Sequence, residues 1–280
     1  MKRFVLIFLM GIMTFMLNAQ DDSTKKVTKY KVLTGYSTDI YNQPNLRVYN
    51  LYNTGIGFQA PKTTLYGILN TKNVVADSLD GFFFGNGLEF QYELDFYQKL
   101  SKTTDLWVNY AYSNDIHFPK HRIMTRVWQQ IPNDFLISGG YNYYRTQDSI
   151  NIHMANFGLE KYMGRFWMEG RYFVFFKEPQ IKFAYQLNSR VFWEDVNYLQ
   201  LSLTAGAAPD EPWRTDITTA TDYQAYSALL GISTYINKKQ TIQLKSGLGY
   251  SYEEYKSDVW RSRSPEKILH AYRLLPGKSQ

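Results

Sequence analysis

Residues Asn86–Gln98 read NGLEFQYELDFYQ. At a period of two they separate completely, with Leu88, Phe90, Tyr92, Leu94 and Phe96 on one side and Glu89, Gln91, Glu93 and Asp95 on the other. A strand turns successive side chains to opposite faces, so this segment has one greasy face and one acidic face. A half-buried strand of a soluble protein alternates in the same way, and the stretch alone leaves both readings open.

The pattern recurs on either side of it. Alternating segments run at 28–38, 49–59, 63–72, 86–98, 104–114, 120–131, 135–146, 150–162, 165–177, 180–193, 196–208, 223–236, 240–252 and 266–274. No segment has helical periodicity, and no change of composition marks a second domain. They are about ten to fourteen residues long, longer than the usual soluble strand and suited to a tilted membrane crossing. In 180–193, Ile181, Phe183, Tyr185, Leu187 and Val191 oppose Lys182, Gln186, Asn188 and Arg190; in 196–208, Leu199, Leu201, Leu203 and Ala205 oppose Gln200, Ser202, Thr204 and Gly206. The polar face is often small, as the inside of a closed barrel requires. Connections alternate as well. Short ones lie at 60–62, 100–103, 132–134, 163–164, 194–195 and 237–239, and four of the others are long, at 39–48, 73–85, 209–222 and 253–265. Short periplasmic turns facing longer outer loops are the asymmetry of an outer-membrane barrel.

Composition agrees. The chain has 280 residues, a net charge of +6, 17% aromatic residues and no cysteine. Its 24 Tyr and 18 Phe suit a surface that is apolar along the ring and wet at the tip, as in a membrane-interface belt. Without cysteine there is no disulfide framework, thiolate metal site, cysteine nucleophile or lipidated cysteine. The basic excess is spread along the chain, which argues against a nucleic-acid partner. Lys2 and Arg3 followed by apolar Phe4–Leu17 and small Ala19 read as a secretory signal peptide over 1–20. The expected order is therefore signal peptide 1–20, polar tail 21–27, barrel 28–275 and tail 276–280. The expected fold is all-β: a closed antiparallel up-and-down transmembrane β-barrel of about 14 strands, or 12 if the first or last pair is misread.

Over 85–132 the run GNGLEFQYELDFYQKLSKTTDLWVNYAYSNDIHFPKHR, with VWQQIP after it, resembles the YaiO family of outer-membrane β-barrel proteins. Gly85-Asn86-Gly87, the Tyr97–Lys102 turn, Asn109–Ser113 and Phe118–Arg122 carry the likeness. So do Gly158–Tyr162 with Trp167, Ala208–Glu211 and Gly35-Tyr36-Ser37. The resemblance covers about 28 to 255 and implies a barrel in the outer membrane. Outer-membrane lipid, lipopolysaccharide and the barrel-insertion machinery are the expected partners, with glycans a further candidate. It implies no activity that transfers residue by residue. Such barrels usually end on an aromatic residue that the insertion machinery reads; this chain ends HAYRLLPGKSQ and departs from that pattern.

Two constellations invite chemistry. His117 and His121 flank Phe118-Pro119, with Ser113 and Asp115 nearby. His121 is the best available base for a barrel enzyme acting on lipid or lipopolysaccharide at the outer leaflet, but Pro119 disfavours the helix that would bring both imidazoles together. The polar face offers Glu89, Glu93 and Asp95 against Arg122 and Arg126, then Glu169, Arg171, Lys182 and Arg190. Inside a barrel wall such charges must be paired or watered. They form either a bracing network or a pore lining with acidic and basic arcs. Trp213 and Trp260, beside charges in the long loops, are candidates for stacking on glycans or gripping lipid headgroups, and equally for anchoring the packing of their own loops. No metal-ligand set, phosphate loop or cofactor motif is present, and no cofactor is expected. The favoured function is a non-enzymatic narrow passage or accessory barrel for envelope or secreted glycans.

Overall fold

The computed structural model describes residues 29–41, 47–78, 81–83, 88–177, 180–194, 197–207, 223–235, 242–255 and 261–274. The signal peptide and tails expected from the sequence, and Trp213 and Trp260, lie outside these described residues. Fifteen strands occur among the described residues: β1 (Lys29–Tyr41), β2 (Arg47–Gln59), β3 (Thr63–Ser78), β4 (Gly81–Phe83), β5 (Glu89–Lys99), β6 (Thr104–Tyr112), β7 (His121–Ile131) and β8 (Phe135–Arg145). They continue with β9 (Asn151–Met163), β10 (Phe166–Lys177), β11 (Gln180–Phe192), β12 (Tyr198–Gly206), β13 (Tyr223–Tyr235), β14 (Ile242–Tyr255) and β15 (Arg261–Leu274).

All pairings are antiparallel. β1 pairs with β2, β2 with β3, β3 with β5, and from there each strand pairs with the next as far as β15. β15 in turn pairs with β1, Lys31 standing opposite Leu274 and Tyr41 opposite Arg263, so the path of pairings leads back to its start. The connection expected at 73–85 is different from a loop. β3 runs on to Ser78, and β4 folds back on it with Ala76 opposite Phe83. β2 begins at Arg47, and Val48 stands opposite Val75. The β-branched pair Val74-Val75 favours the extended backbone that continues this ladder.

Tight turns set the register. Between β7 and β8, Asn133 and Asp134 take φ values of 64° and 59°, a conformation short polar side chains tolerate. The ladder then starts at Ile131 opposite Phe135. From such starts a residue keeps its face across the sheet. Asp95, Asn109, Met124, Asn142, Met154, Phe175 and Lys182 follow one another on one face. Leu94, Tyr110, Ile123, Tyr143, His153, Phe176 and Ile181 follow on the other.

Burial tells which face is which. Asn156 is 0% exposed, while its neighbour Phe157 is 57% exposed. Leu199, Leu201 and Leu203 are likewise exposed, and Ser202 between them is buried. A soluble sandwich would reverse this order. Here the apolar face meets hydrocarbon and the polar face lines a lumen. Large apolar side chains also reach the interior, where Tyr144, Ile152, Met154, Phe173 and Phe175 pack together toward the ends of their strands opposite the short turns.

Leu201 lies mid-strand on the lipid face of β12. Leu201→Arg puts a charge near the bilayer midplane and should destabilise the barrel by about 2–4 kcal/mol. Ser202→Arg, facing inward, should cost clearly less. Urea unfolding in lipid vesicles measures both.

Candidate functional site

The segment 113–120 between β6 and β7 turns into the lumen. It is held from four directions. Phe90 N–H donates to Asp115 Oδ2 (2.5 Å), and Ser113 Oγ donates to Phe90 O (2.5 Å). β6 pairs with β5 only as far as Tyr112 opposite Tyr92, so these two side chains continue the ladder beyond the end of the strand. Glu89 grips His117 twice, accepting from its N–H at 3.1 Å and meeting Nδ1 at 2.6 Å. Lys72 Nζ reaches His117 O at 3.5 Å and lies over the rings of Tyr49 (4.7 Å) and Phe118 (5.7 Å). Gln147 Nε2, from beyond β8, points at the carbonyl oxygens of Ser113 (3.2 Å), Asp115 (2.9 Å) and Phe118 (3.3 Å). Phe118 and Ser113 are buried as a result.

Below this inward segment is a carboxylate–guanidinium network. Arg122 Nη2 meets Glu93 Oε1 at 2.9 Å, and its Nε donates to Asn109 Oδ1 at 3.0 Å. Asn109 Nδ2 donates to both Glu93 (2.6 Å) and Asp95 (2.8 Å), and Asn70 Nδ2 donates to Glu93 at 2.7 Å. Ala111 is what lets the ion pair form. It stands between Glu93 and Arg122 in the ladder and is 0% exposed, and its short side chain leaves the two free to meet across β6.

Nearer the short turns the lumen has an aromatic girdle. The Trp107 indole donates to Asp95 (2.8 Å), and Trp128 and Trp167 donate to the two oxygens of Glu160 (2.7 and 3.3 Å). Arg126 lies over Trp107 (5.5 Å) and Trp128 (5.2 Å); Arg190 lies over Trp167 (4.4 Å) and Tyr198 (4.6 Å). Glu169 pairs with Arg171 and accepts from Asn188 Nδ2 at 2.7 Å. The described wall of β13, β14, β1 and β2 is built differently. Its inward positions include Gly35, Ser37, Gly55, Gly57, Gly231, Ser233, Gly247 and Ser251. Lys31 and Lys245 face inward there too, Lys31 donating to Tyr66 OH at 3.0 Å.

The residues singled out from the sequence are thus distributed. Glu93 meets Arg122; Asp95 is held by Asn109 and Trp107; Glu169 meets Arg171. Arg126 stacks on indoles where a carboxylate was the expected partner, because it stands opposite Trp107, four ladder positions from Ala111 and Arg122. Lys182 stands opposite Phe175 on the lumen face. His117 and His121 are not brought together. His117 lies against Glu89 inside, and His121 begins an outward row beside Tyr110. Ser113 is committed to Phe90, so no nucleophile–base pair forms there. Sequence reasoning missed Gln147, Lys72 and the carboxylate-bound indoles. Trp107, Trp128 and Trp167 share the parity of the charges, and an indole on a polar face was the available sign.

Arg122→Ala leaves Glu93 without its cation and should cost about 3 kcal/mol. Combined with Glu93→Gln, the loss should fall well short of the sum of the single losses, by about 1–2 kcal/mol. Denaturant unfolding of the four proteins measures the coupling; additive losses would mean that the pair does not act as one.

The model of the YaiO membrane beta barrel domain matches residues 29–211. Among solved structures, OccK7 (OpdD) of Pseudomonas aeruginosa is similar with a TM-score of 0.51 at 8% identity, over 91% of this chain and 100% of that one. OccAB3 of Acinetobacter baumannii gives 0.46 at 8% identity over 90% and 99% of the two chains. The anion-selective porin from Comamonas acidovorans gives 0.43 at 10% identity over 90% and 100%. A search of the curated proteins finds no match. At these identities the first structure speaks for the fold alone, and the family match carries the assignment. It takes in well over half of the 280 residues and falls on the strands described above, so the chain belongs to the family of the YaiO membrane beta barrel domain and is an outer-membrane β-barrel protein.

Proposed function

We propose that the protein is a non-enzymatic closed barrel of fourteen spanning strands that forms a narrow passage for small saccharides of the envelope or of secreted glycans. The observation that carries this reading is the girdle of Trp107, Trp128, Trp167 and Tyr198, interleaved with Arg126 and Arg190 and backed by Asp95 and Glu160. A sugar ring has apolar C–H faces and a rim of hydroxyls. Aromatic faces suit the first, and guanidinium or carboxylate groups suit the second. The charges of this wall are held by neighbours, which favours orienting a neutral or weakly charged solute over binding it tightly. The Gly- and Ser-rich arc supports the same reading, since short side chains take little of the bore. The 113–120 segment narrows the outer opening. Lipid chemistry is the weaker reading, because His117 and His121 lie on opposite sides of the wall.

Purified protein in planar bilayers tests this. Conductance is expected, with block by neutral maltooligosaccharides that Trp128→Ala weakens about tenfold, the weight of one aromatic contact. Gly231→Phe should lower conductance. A Cβ there meets Ser246 O at 3.5 Å, ordinary contact, so a ring can extend into the lumen. Glu89→Gln, which loosens the grip on His117, should raise it. No conductance from either wild type or Glu89→Gln would end the passage reading.

A further inference from the structure

On the outer surface two imidazoles occur in matching settings. His121 lies between Tyr110 and Tyr112, with ring centroids at 6.3 and 5.2 Å, and His153 lies between Tyr141 and Tyr143 at 6.0 and 5.2 Å. In each case Nδ1 is engaged by a tyrosine hydroxyl, Tyr110 to His121 at 3.2 Å and Tyr141 to His153. The remaining tyrosines are fixed by asparagines: Tyr112 OH donates to Asn114 at 2.6 Å and Tyr143 OH to Asn151 at 2.8 Å. Such settings are rigid before any ligand arrives. A phenol donating to Nδ1 puts the ring proton on Nε2, which makes Nε2 a donor.

These groups form one patch. The outward ladder runs Tyr112, His121, Arg145, Asn151, and directly beneath it Tyr110, Ile123, Tyr143, His153. Arg145 stands opposite His121, and its Nε is buried with no hydrogen-bond partner among the described residues. Lys120 precedes His121, and the charges of both Lys120 and Arg145 act on that ring. The nearby acid, Asp148, is in the β8–β9 turn and outside these two rows. The patch lies at the strand ends opposite the short turns, where the outer leaflet's headgroups meet the barrel. Donors and cations that face no carboxylate among the described residues, set among tyrosines at headgroup depth, complement a phosphate attached to a lipid.

We propose that this patch binds the phosphorylated headgroup of an outer-leaflet lipopolysaccharide. Nε2 of His121 and His153 and the Arg145 guanidinium donate to phosphate oxygens, and the tyrosine rings pack along the sugar and the first acyl carbons. Such contacts to a charged group are among the stronger hydrogen bonds. The site is on the lipid face, so it is independent of whether the lumen conducts.

The test uses full-length detergent-solubilised protein stripped of lipid and titrated with bis-phosphorylated lipid A, with bound lipid counted by native mass spectrometry. Wild type should bind it and should bind dephosphorylated lipid A about tenfold more weakly. His121→Gln with His153→Gln, and separately Arg145→Gln, should each weaken binding of the phosphorylated form about tenfold. Tyr226→Ala, an exposed outward tyrosine on distant β13, should leave it unchanged. Heat-modifiable mobility in detergent gels verifies that each variant is folded. Equal affinity for the two lipids, or folded His and Arg variants that bind like wild type, would overturn the proposal.

Discussion

A strand placed in hydrocarbon has no water to which its amides and carbonyls can turn, so every one of them must find a partner within the chain. That constraint shapes the rest of this molecule. It demands that each spanning strand be paired on both sides, and the ladder from β1 round to β15 and back to β1 does this. It also explains the odd use of Ser113 and Asp115. Where β6 ends, the backbone of Phe90 would be left open, and two side chains replace the missing strand.

Given that ladder, the lumen has its own constraint. Charges that cannot face lipid must face inward, and inside they must be answered within reach. The answer here is local. Glu93, Glu160 and Glu169 are held by residues on their own or nearby strands, and small residues at Ala111 and Gly158 make room for the long side chains that reach them. A Cβ on Gly158 would stand 2.4 Å from Ser138 Oγ, so the position admits little else.

Period-two alternation was legible because lipid enforces it on every strand: the faces of Leu94 and Asp95 could be read without knowing any neighbour. Height was not legible. Arg122 and Arg126 share a face, but they are four residues, about 13 Å, apart along β7. Only the register, fixed by turns such as Pro132–Asp134, decides that Arg122 meets Glu93 while Arg126 meets indoles. The same limit hid Gln147, which looked like a turn residue, and the continuation of β3 past residue 72.

The inward 113–120 segment has a bearing on assembly. The side chains and backbone that hydrogen-bond to it, from Lys72 through Glu89 and Phe90 to Gln147, come from neighbouring hairpins within residues 72–147. Bringing these together requires only short loop closures between neighbouring hairpins, whereas joining β1 to β15 spans nearly the whole sequence. The placement of this inward segment is thus encoded ahead of the seam. A half-assembled barrel would thus already carry this inward segment while the last pair of strands finds its register.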